Sequence, residues 1–398
     1  MVTSTSLPTN RLISIDAYRG LVILLMLAEI LHFTAVSYAL PDSEIWEFLA
    51  FHQSHVNWSG CSLHDLIQPS FAFLVGFVVP YSLASSQLRG DTSTKRIIHA
   101  LLRSTILIGI GIFLESLYEI RTVFTFHNTL TQIGLGYFFL DLLGQQKWQV
   151  QIVAFFSILI GYWGLFAWYP APGTDFDWDL VNVPKDWRDL YALNGFSSHW
   201  NKNSNAAWAF DVWWLNLFHR ESPFTHNTSG QCTLSFIPML GMMLLGSLTS
   251  SWLQSKTVEL KKLLGLILGS VLCFAIALTA SRWDVCPIVK SVWTPAWVFY
   301  SGGWCLAILA AFYWVIEIWR LQKWAFPLVV MGSNSIVAYC SGWMLAGPIA
   351  SALIRHFGEK PFEIAGTAYA SVLQGAAVLL VLWLMLYWLY RNRVFVRL

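Results

Sequence analysis

The chain has 398 residues, of which 56% are hydrophobic and only 12% charged, about half the charged share of about 25% usual in soluble globular domains. A water-soluble fold would lack the charge to cover its surface. The formal net charge of +2 comes without a basic stripe, so nucleic acid is not an expected partner.

Apolar runs long enough to cross a bilayer, which takes about 20 residues each, recur along nearly the whole length. They predict an all-α integral membrane protein, a bundle of about ten transmembrane helices near 20–40, 64–86, 97–118, 128–144, 148–169, 233–253, 262–281, 293–318, 325–347 and 366–390. Residues 1–10 are polar without charged side chains, and the first apolar run follows Arg11, Asp16 and Arg19. It reads as a retained signal anchor rather than a cleaved signal peptide.

Glu29 and His32 close the first predicted helix three positions apart, hence on one face. A carboxylate in an apolar helix normally faces the bundle interior or a water-filled cavity. The following loop, 41–63, ends in a titratable, aromatic patch: His55, Trp58, His64 and Asp65 fall within eleven positions at the entrance to the second helix. An imidazole, with an ordinary pKa of about 6.5, suits general-base chemistry near neutral pH; a solvated surface histidine is the alternative. Asp65 could orient that imidazole or cap the helix start.

The clusters Arg89/Lys95/Arg96, Lys256/Lys261/Lys262 and Arg391/Arg393/Arg397 all fall on one side if ten helices alternate. Most of the 24 Lys and Arg residues then lie with the N-terminus, so the positive-inside rule predicts both termini in the cytoplasm and His55 facing outward. These clusters read as topology signals, or as sites for an anionic phosphate. Glu115, Asp141 and Glu317 sit near predicted helix ends, within reach of the interface.

One large excursion, 170–232, is inserted into what otherwise reads as a single transmembrane domain over 1–398. Loops this long are usually functional or disordered, and disordered segments are poor in aromatics. This one holds Trp178, Trp187, Tyr191, Trp200, Trp208, Trp213 and Trp214, and is expected to fold over the outer face as a cap. Rings alternating with polar groups, as at Trp200 and Asn201, suit stacking on a sugar; the aromatic core of a small cap would look the same. In the ninth run, Gly332-Ser-Asn334-Ser335 interrupts apolar sequence, marking either a broken helix that lines a cavity or close packing through small residues.

Many of the 22 Trp residues lie at predicted helix ends and read as interface anchors. The six cysteines have no metal-ligand spacing, and no zinc signature is present, so no metal is expected. Cys61, Cys232 and Cys286 fall on the outer side, which leaves one disulfide open. Without a phosphate-binding loop, ATP-driven transport is not expected; an activated donor or a gradient would have to drive the process.

Several of these segments resemble the heparan-alpha-glucosaminide N-acetyltransferase-like membrane acyltransferases, in particular a prokaryotic branch. The likeness begins at Ser14-Ile-Asp16-Ala-Tyr-Arg19-Gly20 and is most specific in His55-x-x-Trp58-x-Gly60-x-x-x-x-Asp65-Leu-x-x-Pro69-x-Phe71-x-Phe73-x-x-Gly76. It continues through Leu130-Thr-Gln132-Ile133-Gly134-Leu-Gly-Tyr137, Thr233 to Gly246, Pro287-Ile-Val-Lys290-Ser-Val-Trp293-Thr294 and Gly332-Ser-Asn334-Ser335-Ile336. The chain departs from the family at Glu29-Ile30, where an asparagine is common, and at Ile133, where an arginine is.

The resemblance implies a transmembrane acetyltransferase of a bacterial inner membrane, modifying a glycan. Cytoplasmic acetyl-CoA would donate to an amino sugar or other glycan outside. His55 would be the general base, with Asp65 and Glu29 as catalytic partners. Asn57 and Trp58 would help seat the sugar or the acyl group, and the inner-side arginines Arg19, Arg89 and Arg96 would hold the CoA phosphates; His32, Trp200, Asn201 and Asn334, singled out above from the residue pattern alone, are further candidates for contact with the acceptor. Expected partners are acetyl-CoA, the acceptor, the lipid bilayer and a second copy of the chain. The competing reading is a proton-coupled secondary transporter of a sugar-containing substrate, with Glu29 and His32 as the relay.

Overall fold

A computed structural model describes residues 12–396, so Arg11 and Arg397 lie outside the described residues. The described chain is helical. α1 (Ile13–Leu27) leads through a 3-10 turn (Ala28–Leu31) into the short helices α2 (Phe33–Ala39) and α3 (Glu44–Gln53). α4 (Ile67–Leu88), α5 (Ser93–Glu115), α6 (Thr129–Gly144) and α7 (Trp148–Trp168) follow, and the large insert carries α8 (Lys185–Tyr191) and α9 (Ala206–Trp214). α10 (Phe236–Gln254), α11 (Glu259–Arg282), α12 (Pro295–Phe312), α13 (Phe326–Ser333), α14 (Ser335–Phe357) and α15 (Ala370–Arg391) complete the chain.

Among the described residues, eight helices are long and apolar enough to cross a membrane, or nine if α1 and α2, bent by 40°, count as one span. The protein is therefore an all-α membrane bundle. α6, with 16 residues, rises only about 24 Å, short of a hydrocarbon core of about 30 Å. The centre belongs to α10 and α4, whose apolar windows are 72% and 61% buried, against 17% for α14.

Inside a bilayer, helices associate by close packing rather than by escape from water, so small residues mark the crossings. A Cβ on Gly76 would sit 1.7 Å from the Met243 carbonyl oxygen, and one on Gly246 would sit 2.0 Å from that of Phe73. The α4/α10 crossing thus requires glycine on both helices. Gly20 against Leu328 and Gly332 against Asp16 make the same reciprocal contact between α1 and α13.

Two predicted spans are corrected. The first, expected over 20–40, begins at Ile13 and ends at Leu27. Its polar start is accommodated because the Ser14 amide donates to Glu317 Oε1 (3.0 Å), in a π-helical turn that continues α12. Glu317 is buried there rather than reaching the interface. At the other end the helix breaks, with His32 in the left-handed region at φ 50°. Gln53 closes the break, accepting from the Phe33 amide (2.7 Å) and donating to the Ala28 carbonyl (2.6 Å). The ninth span is broken too, at Asn334, between α13 and α14. Its fully buried side chain donates to the Val394 carbonyl and accepts from the Val396 amide (both 3.0 Å).

The insert folds against the end of the bundle that carries His55. Trp200, fully buried, stacks on Phe166 of α7 at 5.9 Å. Asp284, after α11, accepts from the amides of Phe196 (2.8 Å) and Ser197 (3.2 Å). Arg220 donates to the Phe124 carbonyl (2.6 Å). All six cysteines are free, so the disulfide left open by the sequence is not formed.

Candidate functional site

His55 follows α3 directly, in the hairpin that leads to α4. That hairpin is pinned to the loop before α12: Ser59 and Val289 form an antiparallel bridge, and the Gly60 amide donates to the Ile288 carbonyl (3.1 Å). Thr294 holds the second loop, donating to the Pro287 carbonyl (2.7 Å) while its hydroxyl accepts from the Trp297 amide (3.2 Å) to start α12. The next residue after the bridge is Lys290, which this pairing delivers to His55.

Asp65 is the hub. Its carboxylate lies 2.7 Å from His55 Nδ1 and 3.2 Å from Lys290 Nζ. It also accepts from the amides of Ser62 (2.9 Å) and Val56 (3.3 Å). Capping is therefore not what the carboxylate does: it turns back into the hairpin instead of toward the first amides of α4. Asp65 has no exposed side-chain surface and Lys290 only 8%, whereas His55 keeps 51%. Burial pushes the Lys290 ammonium below its usual range, and Asp65 opposes that shift. With Nδ1 directed at Asp65, the network assigns that nitrogen the proton and leaves Nε2 as the free base.

The exposed side of His55 faces a cavity lined by Glu29, His32, Thr34, Gln53, Ser54, His64 and Ser371. The His64 ring lies 4.5 Å from that of His55. The structure thus brings together His55, His64, Asp65, Glu29 and His32, all singled out in the sequence, and adds Lys290 and Gln53. Glu29 and His32 are exposed at the mouth rather than inside a helix bundle. Asn57 is exposed beside the hairpin, while Trp58 is buried edge-on to Trp187 at 5.8 Å. Trp200 and Asn201 belong to the interior of the insert, where Asn201 clamps both backbone groups of Leu193 (2.8 and 2.9 Å). They do not line the His55 cavity, and Asn334 lies at the far end of the bundle beside the C-terminal segment.

The three predicted arginines lie toward that far end. Arg89 and Arg96 line a polar cavity of about 350 Å³ with His99, Arg103, Asp91 and Asp141. Asp91 is already engaged by Arg89 (3.2 Å) and Lys95 (2.5 Å). Arg96 Nε is buried without a hydrogen-bond partner among the described residues. Arg19 lines a second, largely apolar cavity with Phe71, Thr129, Ser335, Ile336 and Tyr339. Ser82, Arg103 and Tyr137 line both, so the two cavities adjoin, and Arg103 donates to the Tyr137 hydroxyl at the junction.

Fold and site together define an integral membrane helical bundle with a titratable cluster at one end and a cationic cavity at the other. Over 105 residues, 26% of its length, the chain is 31% identical to heparan-alpha-glucosaminide N-acetyltransferase of Mus musculus. The matched stretch spans 14% of the mouse protein. No family model matches the chain.

Proposed function

We propose that this protein is an integral-membrane acyltransferase that takes an acetyl group from acetyl-CoA and transfers it to an amino sugar or other glycan on the opposite side. The observation that carries this reading is the placement of the two sites at opposite ends of α4. The 22 residues of that helix rise about 33 Å, comparable to a hydrocarbon core of about 30 Å. An arginine-lined cavity with an unsatisfied guanidinium donor fits the phosphates of CoA, and the adjoining apolar cavity fits an uncharged chain reaching toward the His55 end. The similarity to a membrane N-acetyltransferase supports the transferase class.

In this mechanism an amine of the acceptor, lying against Glu29 and His32, attacks the thioester carbonyl carbon. The carbon–nitrogen bond forms as His55 Nε2 takes the amine proton, and the carbon–sulfur bond breaks as His55 returns that proton to the leaving sulfur, which departs as the free thiol and regenerates the neutral imidazole. Asp65 fixes the ring and its tautomer. Lys290 is close enough to donate to the oxyanion formed on the carbonyl oxygen. The excess of Lys and Arg toward the arginine-lined end supports a donor entrance on the cytoplasmic side. Glu29 and His32, the carriers a proton-coupled transporter would need, are exposed at the mouth rather than buried between helices, which favours acyl transfer. Purified protein should release free thiol from acetyl-CoA in the presence of an amino sugar and form the acetylated sugar. Absence of both products across a panel of amino sugars and hydroxylated glycans would refute the proposal.

A further inference from the structure

On the other side of the His55 hairpin, the bundle wall contains a slot of about 350 Å³ between α1, α4 and α12, at the small end of the ligand-pocket range of about 300–1,000 Å³. Its walls are apolar: Leu21 and Leu25 from α1, Leu66 from the 3-10 turn that precedes α4, Ile67 from α4, Trp304 and Ile308 from α12. Tyr18 and Ser70, which also face it, satisfy each other through a 2.8 Å hydrogen bond. The slot runs from the hairpin to the depth of Ile308, thirteen residues or about 20 Å into α12, in a part of the chain whose outer faces lie in lipid.

We propose that this slot holds the aliphatic chain of a membrane-borne acceptor, an amphiphile whose sugar headgroup enters the His55 cavity. The inference rests on the acyltransfer reading and names the acceptor class it leaves open. Two observations carry it. First, slot and cavity flank a single peptide: Leu63 lines the slot, and His64, next in the chain, lines the His55 cavity. Ser62 also faces the slot, and its amide donates to Asp65, so the top of the slot is two hydrogen bonds from His55.

Second, α3 leaves Ile45, Phe48 and Phe51 exposed. The rings of Phe48 and Phe51 flank His52 at 4.5 and 5.1 Å, and His52 lines the slot. An exposed apolar helix face at the end of a membrane bundle settles into the headgroup boundary. That sets His55 at the depth where a lipid's sugar would lie. A water-soluble sugar gains nothing from either feature; a lipid-borne one is held with its headgroup already beside the base.

The test compares acceptors in the full chain reconstituted in phosphatidylcholine nanodiscs, with acetyl-CoA as donor. A dodecyl glycoside of glucosamine should be acetylated with at least tenfold higher kcat/KM than glucosamine itself. Leu25→Trp and Ile308→Trp, which fill the slot from opposite walls, should collapse that preference. Equal use of the two acceptors, or a preference that survives both substitutions, overturns the inference. A photoreactive diazirine on the same alkyl chain separates this inference from the reading beneath it. If neither acceptor is acetylated but the label falls on α1 and α12 and is lost in both variants, acyl transfer fails and the chain-binding site stands. Labelling elsewhere overturns the site.

Discussion

Lys290 Nζ lies 2.9 Å from His55 Nδ1 and 3.4 Å from Nε2. A partner on the Nδ1 lone pair would sit much farther from Nε2, so the ammonium lies over the ring face and its hydrogen bond goes to Asp65. His55 and Lys290 therefore share one carboxylate without competing for one lone pair. Replacing His55 with Ala should lower acetyl transfer by on the order of 10²–10⁴, the ordinary contribution of a general base, with the melting temperature little changed because the ring is half exposed. Lys290 behaves differently. Lys290→Met leaves the buried Asp65 carboxylate without its full cation, and breaking a buried pair costs about 3–5 kcal/mol. A clear fall in Tm is expected, and the double variant with Asp65→Asn should be less destabilised than the two single changes added together. Strict additivity in thermal unfolding would show that the pair is not coupled. His55 and Asp65 were legible in the sequence because ten positions and a helix entrance join them. Lys290 was not, since 235 positions separate it from His55 and only the Ser59–Val289 bridge brings it in.

At the scale of elements, hydropathy found the spans but misplaced the ends where tertiary contacts override it. Asp16 and Arg19 read as a boundary, yet α1 runs through them because Glu317, 303 positions away, receives the Ser14 amide in its first turn. The break after Leu27 has no local punctuation such as proline or glycine; it is held by Gln53, a residue of the loop the sequence assigned to the outside. The insert was legible as folded from its aromatics, but which rings pack and which face substrate was not, and Trp200 proved to be packing. A further tie to the bundle is Asp211 in α9, which accepts from the Thr233 amide (2.8 Å) at the start of the segment leading into α10. Burial pushes the Asp211 carboxyl up to about 6 from an ordinary 3.8. The folded state therefore holds this proton more tightly than the unfolded one. The resulting stabilisation is full below about pH 4 and is lost as the pH rises through about 6, an effect of up to about 3 kcal/mol. Asp211→Asn keeps the acceptor oxygen for Thr233 and removes the titration. Thermal unfolding of the wild type between pH 4 and 7 should show Tm falling relative to the variant, and parallel curves would refute the assignment.

For the molecule as a whole, the sequence showed two chemically distinct ends but not the path between them, because a cavity is a property of several helices at once. Phe71 and Tyr339 meet edge-on at 6.3 Å and lie at the His55-side end of the apolar cavity. Phe71 is six residues, or about 9 Å of helix rise, from Asp65. On the proposed reading, a donor extended from the arginine end would pass the Phe71 ring before its thioester reached His55, so phosphate binding and chemistry would be separable. Arg96→Ala should raise the KM for acetyl-CoA about tenfold, equivalent to about 1.4 kcal/mol, while leaving kcat and the acceptor KM near their wild-type values. The same separation predicts sidedness. In sealed vesicles with the protein in one orientation, acetyl-CoA supplied only at the Arg96 face should acetylate an acceptor present only at the His55 face. Activity only when donor and acceptor share a compartment would mean that both enter by one mouth, and the cavities beside Arg19 and Arg96 would then have no part in donor delivery.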